Sequence, residues 1–191
     1  MPQKNPEALA FLAQRHSYPS KAMVPPAPSE DEVMQLLTIA ARVPDHGKLE
    51  PWRFVLLTRP ALARLADLGE ARARETGGDD DKIAKGRGQF DRGLIAVAVI
   101  FSPRASDKAP ELEQLLSAGA LCQNLLNAAE AAGWAANWIT GWPAHDPVWC
   151  ERALGTAPQE RVAGLIYLGS EGAPVPDRPR PDVARLTAVL R

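Results

Sequence analysis

Residues 110–141 read PELEQLLSAGALCQNLLNAAEAAGWAANWITG, a long run with helical spacing that stops at a glycine and passes at once into a short apolar stretch between two tryptophans. Leu112, Leu115, Leu116, Ala120, Leu125, Leu126 and Ala129 fall near one side of a helix over 110–132, with small residues elsewhere. Its alanines and Gly119 let another backbone approach closely, which puts this helix at the middle of the molecule or of a dimer. Gly133 ends it, and WAANWITG (134–141) predicts a strand with its terminal loop.

Working outward, LIAVAVIF (94–101) shows almost no polar alternation, so both of its faces are expected to be covered at the centre of a sheet. RFVLLT (53–58) and VAGLIYLG (162–169) predict two more buried strands. Pro60 opens the helix ALARLADLGEARAR, DPVWCERAL predicts a short helix, and TGGDDDK (76–82) reads as a mobile acidic loop. Ser29 and Glu32 form a capping-box pair at the head of a helix from about Glu30 to Val43. That helix buries Val33, Leu36, Leu37, Ala40 and Ala41 until Pro44 stops it. NPEALAFLAQ (5–14) predicts a short first helix, and RHSYPSKAMVPPAPS then breaks all periodicity as an extended arm. The tail from Glu171 is proline-rich and then weakly helical. Alternation of strands and helices predicts an α/β or α+β class with a sheet between helical layers, and the length fits one domain over 1–191.

Lys plus Arg number 22 against 23 Asp plus Glu, so no global field draws the chain to nucleic acid or an anionic membrane. No apolar run is long enough to span a bilayer, and MPQKNPEALAFLAQRHS lacks a signal peptide's apolar region, so a cytoplasmic protein is expected. Cys122 and Cys150 have neither zinc-site nor disulfide spacing and read as reduced core thiols. His16, His46 and His145 are scattered without ligand spacing, so no metal is expected.

No strand is followed by a glycine-rich phosphate loop, so a bound phosphate would have to be held by side chains. Arginine suits that task because its planar fork makes two charge-assisted bonds at once. Two places offer it, Arg15-His16-Ser17 after the first helix and Arg178-Pro179-Arg180 near the end, although each arginine alone reads more readily as a solvated surface charge. Trp138, with the backbone of Ile139, Thr140 and Gly141, is either the packed end of a sheet or a wall of a site. In RVPDHGKLEPWRF (42–54), His46 and Lys48 are either turn groups facing water or ligand contacts on a loop. With no nucleophile elbow and no electropositive cysteine, catalysis would belong to a cofactor.

Taken together, these stretches resemble a known family. Arg15-His16-Ser17, PDHGKLEPWRFVLL, SAGALCQNLLNAAEAAGWAANWITG with its A-G-x-x-x-Q-N-L-L-x-A-A-x-x-x-G pattern, and RPRP stand in the order of the signature blocks of the flavin-dependent nitroreductases. Short length and the Pro-Asp-His version of the second block make the chain similar to the small YdjA-like branch. The resemblance implies an α+β fold of three layers, with a central mostly antiparallel sheet flanked by helices, and an intertwined homodimer holding FMN at the subunit interface. It implies that Arg15, His16 and Ser17 meet the FMN phosphate, ribityl chain and pyrimidine edge, with Arg178 and Arg180 at the phosphate. Trp138, Ile139, Thr140 and Gly141 would cover one flavin face, with a backbone N–H at N5, and His46 and Lys48 would lie beside the ring.

Lys48 stands where many relatives place asparagine or serine, Glu50 where they have glutamine, and Thr140 where many have glutamate. The usual lysine after the N-terminal serine is displaced to Lys21. The implied activity is ping-pong hydride transfer from NAD(P)H through FMN to nitroaromatic, quinone or similar acceptors, with no catalytic side chain. A non-catalytic FMN-storage protein, and a same-fold enzyme using reduced flavin for dehalogenation or flavin fragmentation, are the competing readings.

Overall fold

The fold is that of a computed structural model, described over residues 3–191; Met1 and Pro2, part of the N-terminal stretch read above, lie outside the described residues. The elements in order are α1 (Pro6–Gln14), β1 (Met23–Val24), α2 (Glu30–Ala40), β2 (Trp52–Leu57), α3 (Arg59–Glu75), α4 (Asp80–Asp91), β3 (Ile95–Phe101), α5 (Glu111–Ala131), β4 (Ala135–Ile139), α6 (Pro147–Leu154) and β5 (Arg161–Glu171). All strand pairs are antiparallel. β3 pairs with β2 on one side and β5 on the other, while the far edge of β5 carries β4 and then β1.

β3 is buried at every residue, as its composition predicts, and its alternation builds two cores. Ile95, Val97 and Val99 pack with Val33, Leu36 and Leu37 of α2 and Leu121, Cys122 and Leu125 of α5. Ala96, Ala98 and Ile100 face Leu62, Leu65 and Ala66 of α3, Phe90 of α4 and Trp149 and Leu154 of α6. The sheet is thus the middle of three layers. Both cysteines are free and buried, and burial pushes the Cys122 thiol up to about 12, so neither is a ready nucleophile.

Ser29 and Glu32 make the expected capping box: the Ser29 hydroxyl accepts from the Glu32 N–H at 3.3 Å, and the Glu32 carboxylate accepts from the Ser29 N–H at 2.8 Å. The helix ends earlier than predicted, at Ala40, because the Ala41 and Arg42 N–H groups close the last turn on Leu37 and Ile39, and Ala41 is exposed. TGGDDDK is not a loop throughout. The Asp79 carboxylate accepts from the Lys82 N–H at 2.8 Å and caps α4, whose first turn carries Asp80 and Asp81 at the positive end of the helix dipole.

Helix α4 packs on α3 with almost no apolar stripe. Gly69 of α3 and Gly86 of α4 meet backbone to backbone, so closely that a Cβ on Gly69 would run into the Gly86 carbonyl. Each glycine gives up about 0.8–1.0 kcal/mol of helix propensity relative to alanine, and what it gains is proximity. The tail after β5 forms only a turn over residues 183–186, not a helix, since nothing in the same chain covers Val183, Leu186, Val189 or Leu190. Leu112 and Leu116, expected to be buried, are 66 % and 64 % exposed, while Leu125, Leu126 and Ala129 on the same helix are buried. The N-terminal third of α5 therefore presents an apolar face beyond its own chain.

The β2–β5 end of the sheet is tied by Arg53, whose Nε and NH2 donate to the two Glu160 carboxylate oxygens at 2.8 and 2.7 Å. That paired guanidinium, opposed by burial and helped by the Ala157 N–H, lowers the Glu160 carboxyl to about 2. A lowered folded-state pKa contributes stability that is full above the ordinary carboxylate value near 4.5 and is lost as pH falls through about 2. Glu160→Gln is expected to abolish this acid-dependent loss, of order 2–3 kcal/mol, measured by urea denaturation at stepped pH.

Candidate functional site

β4 uses one edge to pair with β5, from Ala135↔Gly169 to Ile139↔Leu165. On its other edge the Tyr18 N–H donates to the Ala136 carbonyl at 3.0 Å, which lays the N-terminal arm along the strand. By antiparallel alternation, the Trp138 backbone groups point the same way as those of Ala136, past the end of the arm. A cavity of about 490 Å³ opens there. Arg15, His16, Ser17 and Lys21 line it from the arm, Asn137, Trp138 and Ile139 from β4, Gly88, Gln89 and Arg92 from α4, and Asp177, Arg178 and Arg180 from the tail.

The arm and the tail touch directly. One Arg180 NH2 group lies 3.3 Å from the Arg15 carbonyl and 2.8 Å from the Asp177 carboxylate. Arg15 faces Glu130, at the end of α5, at 3.4 Å; both side chains are largely buried, and burial raises the Glu130 carboxyl above its ordinary value against the pull of Arg15. Five cations, Arg15, Lys21, Arg92, Arg178 and Arg180, thus line one cavity in which Asp177 is the carboxylate of the lining. Such a set suits a doubly charged phosphate, and the volume lies in the range of small-molecule sites.

Trp138 lies across β5 because position 164 has no side chain. A Cβ on Gly164 would strike the indole nitrogen. The sheet register jumps from Val99↔Gly164 to Ile100↔Val162, which leaves Ala163 as a bulge whose carbonyl accepts the Trp138 indole N–H at 3.2 Å. Gln89 donates through Nε2 to the Thr140 carbonyl at 3.3 Å, and Gly141, at φ +67°, leaves room for that amide.

Of the residues singled out in the sequence, Arg15, His16, Ser17, Trp138, Ile139, Arg178 and Arg180 line this cavity together, with Thr140 and Gly141 at its margin against Gln89. His46 and Lys48 do not. Their loop leads into β2, three strands from β4 and so about 14 Å across the sheet. It is nonetheless well defined: the Asp45 carboxylate accepts from the Leu49 and Glu50 N–H groups at 3.2 and 2.8 Å, and Lys48 and Glu50 are held at φ +54° and +47°. Left-handed non-glycine residues persist where surrounding contacts fix them. His46 Nδ1 pairs with the Glu113 carboxylate at 2.7 Å at the head of α5, beside the exposed Leu112 and Leu116.

Gln89, Arg92 and Asn137 were not anticipated as site residues. The first two lie on and at the C-cap of a helix whose first residues read as part of an acidic loop and whose remainder carried no apolar period, and the signal that could have found them is the Asp79–Lys82 cap. Lys21, displaced in sequence, still reaches the cavity. Among the described residues, no group of three His, Cys, Asp or Glu is arranged to hold a metal, and no helix is long and apolar enough to cross a membrane.

The fold agrees with what this chain is similar to. The sequence model of the nitroreductase family matches residues 12–170, and the chain belongs to that family. It is 31% identical over 164 residues to YdjA of Escherichia coli (strain K12), provisionally named an NAD(P)H nitroreductase, covering 86% of this chain and 88% of that one. In fold it resembles a nitroreductase-like family protein from Bacillus cereus, with a TM-score of 0.76 at 21% identity over 100% of this chain and 98% of the other. It also resembles a nitroreductase with bound FMN from Bacteroides fragilis NCTC 9343, with a TM-score of 0.72 at 20% identity over 98% of this chain and 100% of the other.

Proposed function

We propose that the chain is an FMN-dependent NAD(P)H oxidoreductase. The observation that carries this reading is the convergence of five cations from the arm, α4 and the tail on one cavity walled by the edge of β4. Bound FMN would supply the redox chemistry, accepting a hydride from NAD(P)H and passing it, in a ping-pong sequence, to a nitroaromatic, quinone or similar acceptor.

The residues present fit that cofactor. Arg15, Arg178 and Arg180 form the phosphate grip, with His16 and Ser17 toward the ribityl chain and pyrimidine edge. Trp138 to Gly141 back one face of the ring and supply backbone N–H groups, and Gln89, which holds the Thr140 carbonyl, keeps that segment in place. Lys21 and Arg92 add positive potential, which favours an anionic reduced ring. No side chain of the cavity is needed as an acid or base.

The chain acts as a homodimer in this reading. The apolar N-terminal face of α5 is covered by a second copy, and the His46–Lys48 loop, too far from the cavity of its own chain, reaches the ring held by the other. The two left-handed residues beside Asp45 give that loop the rigidity to serve as a wall.

The test is a spectrum. Protein purified with FMN is expected to be yellow, to bleach under anaerobic NADH or NADPH, and to recolour when a quinone is added. Yellow protein that neither dinucleotide bleaches would identify a storage protein, and protein that takes up no FMN would end the proposal.

A further inference from the structure

Helix α4 supplies Gly88, Gln89 and Arg92 to the cavity, and it is clasped to its surroundings by residues that lack side chains. Gly69 of α3 admits the Gly86 carbonyl. The six-membered ring of Trp142 closes on the same spot, so that a Cβ on Gly86 would stand 2.6 Å from Cζ2 of that ring and 3.1 Å from the Gly69 carbonyl. The Trp142 indole N–H donates to the Lys82 carbonyl at 3.1 Å, and the Lys82 ammonium sits 5.2 Å from the ring centroid. One turn beyond Gly86, the Gln89 amide nests over Gly141 and holds the Thr140 carbonyl. Helix α4 is therefore fixed at one height relative to the loop after β4, by rigid backbone and an indole rather than by compressible side chains.

We propose that Gly86 and Trp142, with Gly69 and Gly141, are positioning residues that set the height of α4 over the cavity mouth and so the size of the electron acceptor admitted. The inference rests on the oxidoreductase reading above and adds a substrate limit to it. Where the helix faces the cavity it presents Gly88, which has no side chain, beside Gln89, whose amide is held on the Thr140 carbonyl, with Arg92 at its C-cap, so clearance at Gly88 depends on the height of the helix itself. The phosphate grip belongs to the arm and the tail. Lifting α4 should change access to the ring far more than retention of the cofactor.

Gly86→Ala tests this, because its methyl group must push the helix from the Trp142 ring. The variant is expected to retain FMN and to shift the ratio of kcat/KM for 9,10-phenanthrenequinone over 1,4-benzoquinone about tenfold toward the larger acceptor, through KM. Trp142→Phe, which withdraws the ring edge and the N–H donor and lets the helix settle into the gap, is expected to shift the ratio toward the smaller acceptor, and the double variant, with the methyl group filling the gap, to return toward the wild-type ratio. Hydrogen exchange should rise in residues 80–91 and not in 95–101. A wild-type ratio in both single variants, shifts of both in the same direction, or loss of FMN from Gly86→Ala overturns the proposal. If Gly86→Ala does not fold, the ratio for Trp142→Phe decides. A wild-type protein that binds no FMN overturns the underlying reading instead, whereas yellow, active variants of unchanged selectivity overturn only the clasp.

Discussion

Alanine at both Arg15 and Arg180 is expected to weaken FMN binding roughly a hundred- to ten-thousand-fold while leaving the fold intact. Hydrogen bonds to charged groups contribute about 1.5–3 kcal/mol each, and two lost together correspond to that range at about 1.4 kcal/mol per decade. The two residues are already joined, since Arg180 NH2 reaches the Arg15 carbonyl at 3.3 Å, so single substitutions are expected to be sub-additive. Removing Arg15 also leaves Glu130 without its paired guanidinium, and that carboxyl, already raised by burial, would rise further. Flavin titration monitored by fluorescence, with circular dichroism for the fold, measures the effect. Full retention of FMN would show that the phosphate lies elsewhere.

Glutamate at Leu112 and Leu116 is expected to produce monomers at micromolar concentration and, with them, loss of tight flavin binding. The two leucines lie one turn apart on α5 and are about two-thirds exposed in the single chain. Burying a leucine is worth about 1.5–3 kcal/mol, and a two-fold interface counts each substitution twice, so the dimer should weaken by several decades even before the charges are considered. Sedimentation equilibrium reads the assembly, and a flavin titration of the monomer reads what the second copy adds through His46 and Lys48. A dimeric double variant would remove α5 from the interface, and a monomer that binds FMN at full strength would remove the second copy from the site.

What the sequence disclosed followed from how locally each feature is determined. The box at Ser29 and Glu32, the all-apolar β3 and the glycine stop at 133 are short-range signals, and each appears where it was read. Helix α4 was illegible because its cap, its glycine-to-glycine contact with α3 and its one large buried side chain, Phe90, make no apolar period. Missing that helix hid Gln89 and Arg92. Leu112, Leu115 and Leu116 share the helical period of Leu125 and Leu126 yet stand exposed in the single chain, since periodicity marks an apolar face without saying what covers it, and the sequence left the middle of the molecule and the middle of a dimer both open. That His46 and Lys48 stand apart from Arg15 is likewise a matter of strand order, which no motif spacing encodes.

The phenol of Tyr18 accepts the Gly172 N–H at 2.8 Å and donates to the Ala173 carbonyl at 2.7 Å, while its own backbone N–H is on Ala136. One buried ring thereby stitches the first twenty residues to the last twenty at the point where both meet the strand between them. The entropy of closing a loop of more than 150 residues is met once, when the chain folds, and is not charged again to each ligand. Capture of the anion should then resemble a key entering a cut lock, with fast association and little ordering of either terminus.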